Sequence, residues 1–171
     1  MKSAGITARG SSRCVIALNF TVAERPRGAT SLRSMFEAPE SPLCVLTIHA
    51  HPDDEASKGA PTLAKYHDLG VRTVLVCCTG GEEGDLQNPA LRNEGGPFHG
   101  MTPEEEKQHL VRIRPVELAK SAQIIGFDQV IMLGYRDSGM ADSPPNENPS
   151  CFHQASLDEA VGRLVSIIRR E

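Results

Sequence analysis

His51, Asp53 and Asp54 are the residues of this 171-residue chain whose types and spacing best suit chemistry. They lie in the stretch His49-Ala50-His51-Pro52-Asp53-Asp54-Glu55, directly after an apolar run. An imidazole and a carboxylate three residues apart at a strand-to-helix turn can face one point. His51 and Asp54 therefore suit zinc or another divalent first-row metal. Pro52 fixes the backbone between them, and Asp53 can turn toward a water held by the metal. A plainer reading stands beside this one: Asp53 or Asp54 caps the following helix, and His51 packs in the loop. Three successive carboxylates and no glycine are the opposite of a phosphate cradle, so this turn is not a dinucleotide site.

Two later loops carry further candidates. Gly81-Glu82-Glu83-Gly84-Asp85 is acidic, and by itself reads as a solvated turn. Arg136-Asp137-Ser138-Gly139-Met140 offers Asp137, either to substrate hydroxyls or to Arg136 in a structural pair. Arg112, Arg114 and Glu117 read as ion-pairing residues on a helix surface. His67, His109 and His153 show no partner pattern and are expected to be solvated. His99 sits in a Gly-rich loop that would let it reach a site.

The elements that must position these loops alternate. Leu43 to Ile48 is a β-prone run of the kind buried on both faces. A helix is expected over about Ala56 to Leu69, stopped by Gly70. A second buried strand covers Val71 to Cys78. Thr102-Pro103-Glu104-Glu105 predicts a capping box with proline at the first helical position. That helix runs to Ile125, stops at Gly126, and should kink or split at Pro115. Gln129 to Leu133 is a third strand. Ser156-Leu157-Asp158-Glu159 predicts a second capping box, opening a helix with an apolar face of Leu157, Ala160, Val161, Leu164, Val165 and Ile168. The order β-α-β-α-β-α implies right-handed crossovers and a Rossmann-like, doubly wound parallel α/β sheet. All three chemistry-bearing loops leave strand carboxyl ends, where such folds bind ligands. The last helix reaches Glu171 without delivering a strand, so the sequence reads as a sheet truncated after its third β-α unit, its first strand left as a bare edge.

Composition narrows the classes. Net charge is −4, which argues against a nucleic-acid partner. Hydrophobic residues make up 39%, with no apolar run long enough to span a membrane. Five cysteines without a CxxC pair suggest free thiols in a reducing, cytoplasmic protein. Charge is uneven: residues 1–34 carry a net +5, leaving −9 for the rest. Residues 1–40 are therefore set apart as a basic, disordered extension, and 41–171 as the folded part.

Ala50-His51-Pro52-Asp53-Asp54-Glu55 after an apolar strand resembles the signature of the LmbE-like (PIG-L) zinc-dependent N-deacetylases. Gly81 to Gly84 and Arg114-Pro115-Val116-Glu117-Leu118 match further elements of that family. Ser57-Lys58-Gly59, Asn88-Pro89 and Leu133 to Met140 are most similar to members that act in mycothiol metabolism. The resemblance, over about residues 43–171, implies a hydrolase of amide bonds on a glucosaminyl-inositol or mycothiol-type small molecule. It implies Zn2+ as cofactor, His51 and Asp54 as its ligands, and Asp53 as general base. Asp85, Arg114 and Asp137 would lie against sugar or inositol hydroxyls. The family's later His-Pro-Asp-His motif, source of a third ligand and a general acid, does not occur in this sequence. The alternative expectation is therefore an inactive homologue that keeps the fold.

Overall fold

A computed structural model describes residues 13–17 and 43–171. The strands β1 (Arg13–Ala17), β2 (Leu43–His49), β3 (Arg72–Thr79) and β4 (Gln129–Tyr135) form one sheet in the order β1-β2-β3-β4. Every neighbouring pair is parallel, with Leu46 opposite Val74 and Val76 opposite Ile131. The parallel α/β architecture is the expected one. The expected bare edge is not found: β1 pairs with β2, Cys14 opposite Cys44. Arg13–Ala17 thus belongs to the sheet and not to a separate extension. Five residues are enough for a short edge strand. The rest of the 1–40 extension lies outside the described residues.

The α-helices among the described residues are α1 (Asp54–Ser57), α2 (Ala60–Asp68), α3 (Pro103–Ile125) and α4 (Leu157–Arg170), and the last three cover the sheet. The single helix expected over 56–69 is broken at Lys58–Gly59, because Gly59 adopts φ +100°. At α3 the capping box forms as expected. The Glu105 N–H donates to Thr102 Oγ1, and the Thr102 N–H donates to the Glu105 carboxylate. Pro115 does not split this helix. Proline forfeits one bond to the carbonyl four residues back, and the capped turns on either side carry the helix through. At α4 the expected box is absent, since Ser156 makes no side-chain cap. Its buried face is also rotated from the expected one: Ala160, Leu164, Ile167 and Ile168 face inward, while Leu157 and Val161 are exposed.

The two faces of the sheet bury different elements. Cys44, Leu46, Val74, Val76, Cys78 and Leu133 pack against Ile167 of α4. On the opposite face Val45 meets Leu63 of α2 and Ile125 of α3, and Leu75 and Cys77 meet Leu118. This two-sided burial is why β2 and β3 read as continuous apolar runs. It also brings the carboxyl ends of β2, β3 and β4 to one edge. Near that edge the β3–β4 register slips between Cys77 and Thr79, where β4 has an extra residue beside Gly134 at φ +90°. Such a bulge re-aims the loop that follows it, the loop holding Asp137.

Candidate active site

The turn after β2 is held in an uncommon conformation. Asp53 has φ +113°, a region in which a residue with a side chain is strained by roughly 1–3 kcal/mol. Its N–H donates to Glu55 Oε2 at 2.9 Å, and Arg114 Nη2 donates to its Oδ2 at 2.7 Å. The Asp53 carboxylate is nonetheless 72% exposed, open to a substrate and to water. Asp54 is buried, and its Oδ2 accepts the His51 N–H at 3.1 Å while lying 3.8 Å from His51 Nδ1. Burial by itself would raise the Asp54 carboxyl. The Lys58 ammonium and the His51 N–H outweigh it and hold this group below its ordinary value, so Asp54 is an anion at neutral pH. Thr79 ties this turn to β3 by donating from both N and Oγ1 to the Ala50 carbonyl, at 3.0 and 2.9 Å.

The acidic loop after β3 is not a solvated turn. Glu83 is 5% exposed in its side chain and forms ion pairs with Lys107 of α3 and Arg136 after β4. Glu82 Oε2 accepts the Asp137 N–H at 2.8 Å, and the Glu83 N–H donates to Asp137 Oδ2 at 3.3 Å. These bonds stitch two loops together and place buried Asp137 against the histidine, Oδ1 to His51 Nε2 being 3.4 Å. Asp137 therefore does not pair with Arg136. Arg114 is 13% exposed and bonds the Gly81 and Pro52 carbonyls at 2.9 and 2.8 Å.

The structure thus gathers His51, Asp53, Asp54, Arg114 and Asp137 at one sheet edge. Asp85 is exposed and lines a cleft of about 660 Å³ with Leu86, Arg92, Met101, Glu106 and Lys107. His99 is exposed and faces the Arg92 carbonyl at 3.2 Å, apart from the gathered residues, while His109 packs edge-on against buried Phe98 and is not the solvated residue expected. His67 approaches Asp128 at 3.9 Å. Sequence reasoning missed Glu55, Lys58, Glu82 and Glu83 as parts of the site. Three of them are acids whose partners lie on the backbone or on distant elements, and only acid clustering at strand ends hinted at them.

His51 and Asp54 offer the nitrogen and oxygen donors that zinc prefers. Among the described residues, however, no group of three His, Cys, Asp or Glu is placed to hold a metal ion. The donor types fit zinc, and the donor count stops short of a closed set.

A parallel α/β sheet with carboxylates, an imidazole and an arginine at its strand carboxyl ends defines a ligand-binding or hydrolytic domain of the doubly wound class. The family model described as GlcNAc-PI de-N-acetylase (PIG-L) matches residues 46–171, and the chain belongs to this family. It is 39% identical over 129 residues to a 1D-myo-inositol 2-acetamido-2-deoxy-alpha-D-glucopyranoside deacetylase of Catenulispora acidiphila, covering 73% of this chain and 38% of that protein. It is 42% identical over 129 residues to the mycothiol S-conjugate amidase of Streptomyces coelicolor, covering 74% of this chain and 41% of that protein. Among solved structures, an N,N'-diacetylchitobiose deacetylase from Pyrococcus horikoshii matches at 30% identity and a TM-score of 0.42, covering 58% of this chain and 32% of that one. The chain spans about two-fifths of the length of the curated relatives it matches.

Proposed function

We propose that this protein hydrolyses a C–N amide bond on a small amino-sugar substrate of the glucosaminyl-inositol or mycothiol-conjugate type. Family membership and the names of the relatives support the reaction class. The observation that carries the site is the convergence of His51, Asp54 and the solvent-open Asp53 on one strand end. His51 and Asp54 would hold zinc, which when bound acidifies a coordinated water and polarises a carbonyl. Asp53 takes the proton of the attacking water, a role its exposure suits. Asp137 and Asp85 accept hydrogen bonds from hydroxyls of the sugar or inositol. No helix among the described residues is long and apolar enough to cross a membrane, and the cytoplasm is the proposed compartment.

Free amine released from N-acetylglucosaminyl-inositol or from a mycothiol S-conjugate is the test. Asp53→Asn should lower kcat by about 10²-fold or more, the usual worth of a general base. No release from either substrate, or an undiminished Asp53→Asn enzyme, would defeat the proposal. The Lys58 ammonium already seated on Asp54 supports a second reading, a homologue that keeps the fold and binds its glycan without turnover. Glycan binding by calorimetry with no amine released would establish it.

A further inference from the structure

We propose, on the reading of Asp53 as the base, that Glu55 is a positioning residue for it. The buried Glu55 side chain holds the Pro52–Asp53 peptide in the orientation that keeps Asp53 at positive φ with its carboxylate turned to solvent. Asp53 stands at the N-cap of α1, yet its side chain makes no cap hydrogen bond. Its carboxylate is left 72% exposed. The bond that fixes its backbone comes from the buried side of the turn, where Glu55 is 1% exposed and its Oε2 accepts the Asp53 N–H at 2.9 Å. The carbonyl of the same peptide, that of Pro52, accepts Arg114 Nη2 at 2.8 Å. A peptide held at both its N–H and its C=O has one orientation, and here that orientation sets φ of Asp53 at +113°.

The cap of α3 shows what is unusual about this turn. Thr102 has φ −71°, spends its side chain on the Glu105 N–H, and has its own N–H accepted by Glu105, three residues on. At α1 the acceptor lies only two residues on, a span that the chain closes with its N-cap residue in the left-handed region. The Asp53 carbonyl still accepts the Ala56 and Ser57 N–H groups, at 3.1 and 3.2 Å, so α1 starts without help from the Asp53 carboxylate. Strain at a residue with a side chain persists only where its surroundings over-determine it. Glu55 supplies that constraint, since turning the peptide over would strip a hydrogen bond from a fully buried acceptor, which is costly. With the acceptor removed, the peptide is free to turn, which relaxes φ and swings the Asp53 carboxylate to another place.

Glu55→Met puts a methyl group where the acceptor oxygen stands, and Glu55→Gln keeps an oxygen there. In the full-length protein, Glu55→Met should lower kcat by roughly 10²-fold, the cost of misplacing a reacting group by about 1 Å, with KM within about twofold. Glu55→Gln should hold kcat within about threefold of wild type, since an amide oxygen accepts the same N–H. Undiminished kcat in Glu55→Met, or equal losses in both variants, would overturn the proposal. Melting tests it without turnover. Asp53→Gly should melt about 2–4 °C above Asp53→Ala while Glu55 is present, because glycine adopts this φ without strain. That advantage should fall by more than half when Glu55→Met is added. No advantage with Glu55, or one kept without it, would overturn the proposal. A crystal structure of Glu55→Met should show the peptide turned over and Asp53 at negative φ, and Asp53 still near +113° would overturn it as well. A wild-type protein that releases no amine would defeat the reading of the reaction, while melting and the variant structure would still decide the role of Glu55.

Discussion

Asp54 and His51 face each other across 3.8 Å with Lys58 on the far carboxylate oxygen, so the anion at this site already carries a cation. A divalent ion would have to compete with that ammonium for Asp54. Zinc affinity, read by competition with a chromophoric chelator, should fall at least tenfold in His51→Ala and in Asp54→Ala. Equal affinity in wild type and both variants would place the metal elsewhere. A second residue-scale expectation concerns the thiols. Burial pushes the Cys77 thiol up to about 12 and raises Cys78 as well. Neither should react with iodoacetamide at pH 8 in the folded protein, and both should be alkylated on unfolding, as mass spectrometry would read. Native labelling of Cys77 would contradict its place between β3 and α3. The burial is local in origin, since the two cysteines end the apolar run Val74-Leu75-Val76 of a strand covered on both faces. It could not point to Glu83, whose partners are 24 and 53 residues away.

At the scale of elements, α3 shows how local signals succeed and fail. Its start was legible because every partner of the Thr102–Glu105 box lies within four residues. Ser156-Leu157-Asp158-Glu159 is a pattern of the same type and makes no side-chain cap; the chain enters α4 there from a short helix at Phe152–Gln154. The first turn of α3 also gives a pH prediction. The backbone N–H of Thr102 holds the Glu105 carboxyl below its ordinary value, and the Arg92 guanidinium holds Glu106 below its own. A carboxyl depressed in the fold binds fewer protons than it does unfolded, so stability rises with pH through that interval. These contributions are complete above the ordinary glutamate value, about 4.3, and are lost as pH falls below it through the depressed folded values. Thermal unfolding from pH 7 to 3 should show a shallower acid limb for Glu106→Gln than for wild type. Superimposable limbs would mean that the Arg92–Glu106 pair contributes nothing.

Over the whole molecule, two helices cover one face of the sheet and α4 covers the other, so the central strands have no solvated side. Leu46 is fully buried at the middle of β2, one strand in from the edge β1 supplies. Leu46→Ala should cost about 2–5 kcal/mol in denaturant unfolding, the range for a leucine removed from a packed core. A loss below about 1 kcal/mol would mean that the sheet is not packed on both faces.

The parallel α/β class, strands β2 to β4, the capped start of α3 and the loop with His51, Asp53 and Asp54 are legible in the amino-acid string. Those features follow from hydrophobic periodicity and from contacts a few residues apart, which a linear string displays directly. That Arg13–Ala17 joins the sheet, that Glu82 and Glu83 hold the Asp137 loop, and that Arg114 bonds Asp53 and two carbonyls emerge only in the fold. Each of those is a pairing between segments tens of residues apart. Its energy depends on distance and burial, and neither exists until the sheet brings the strand ends together.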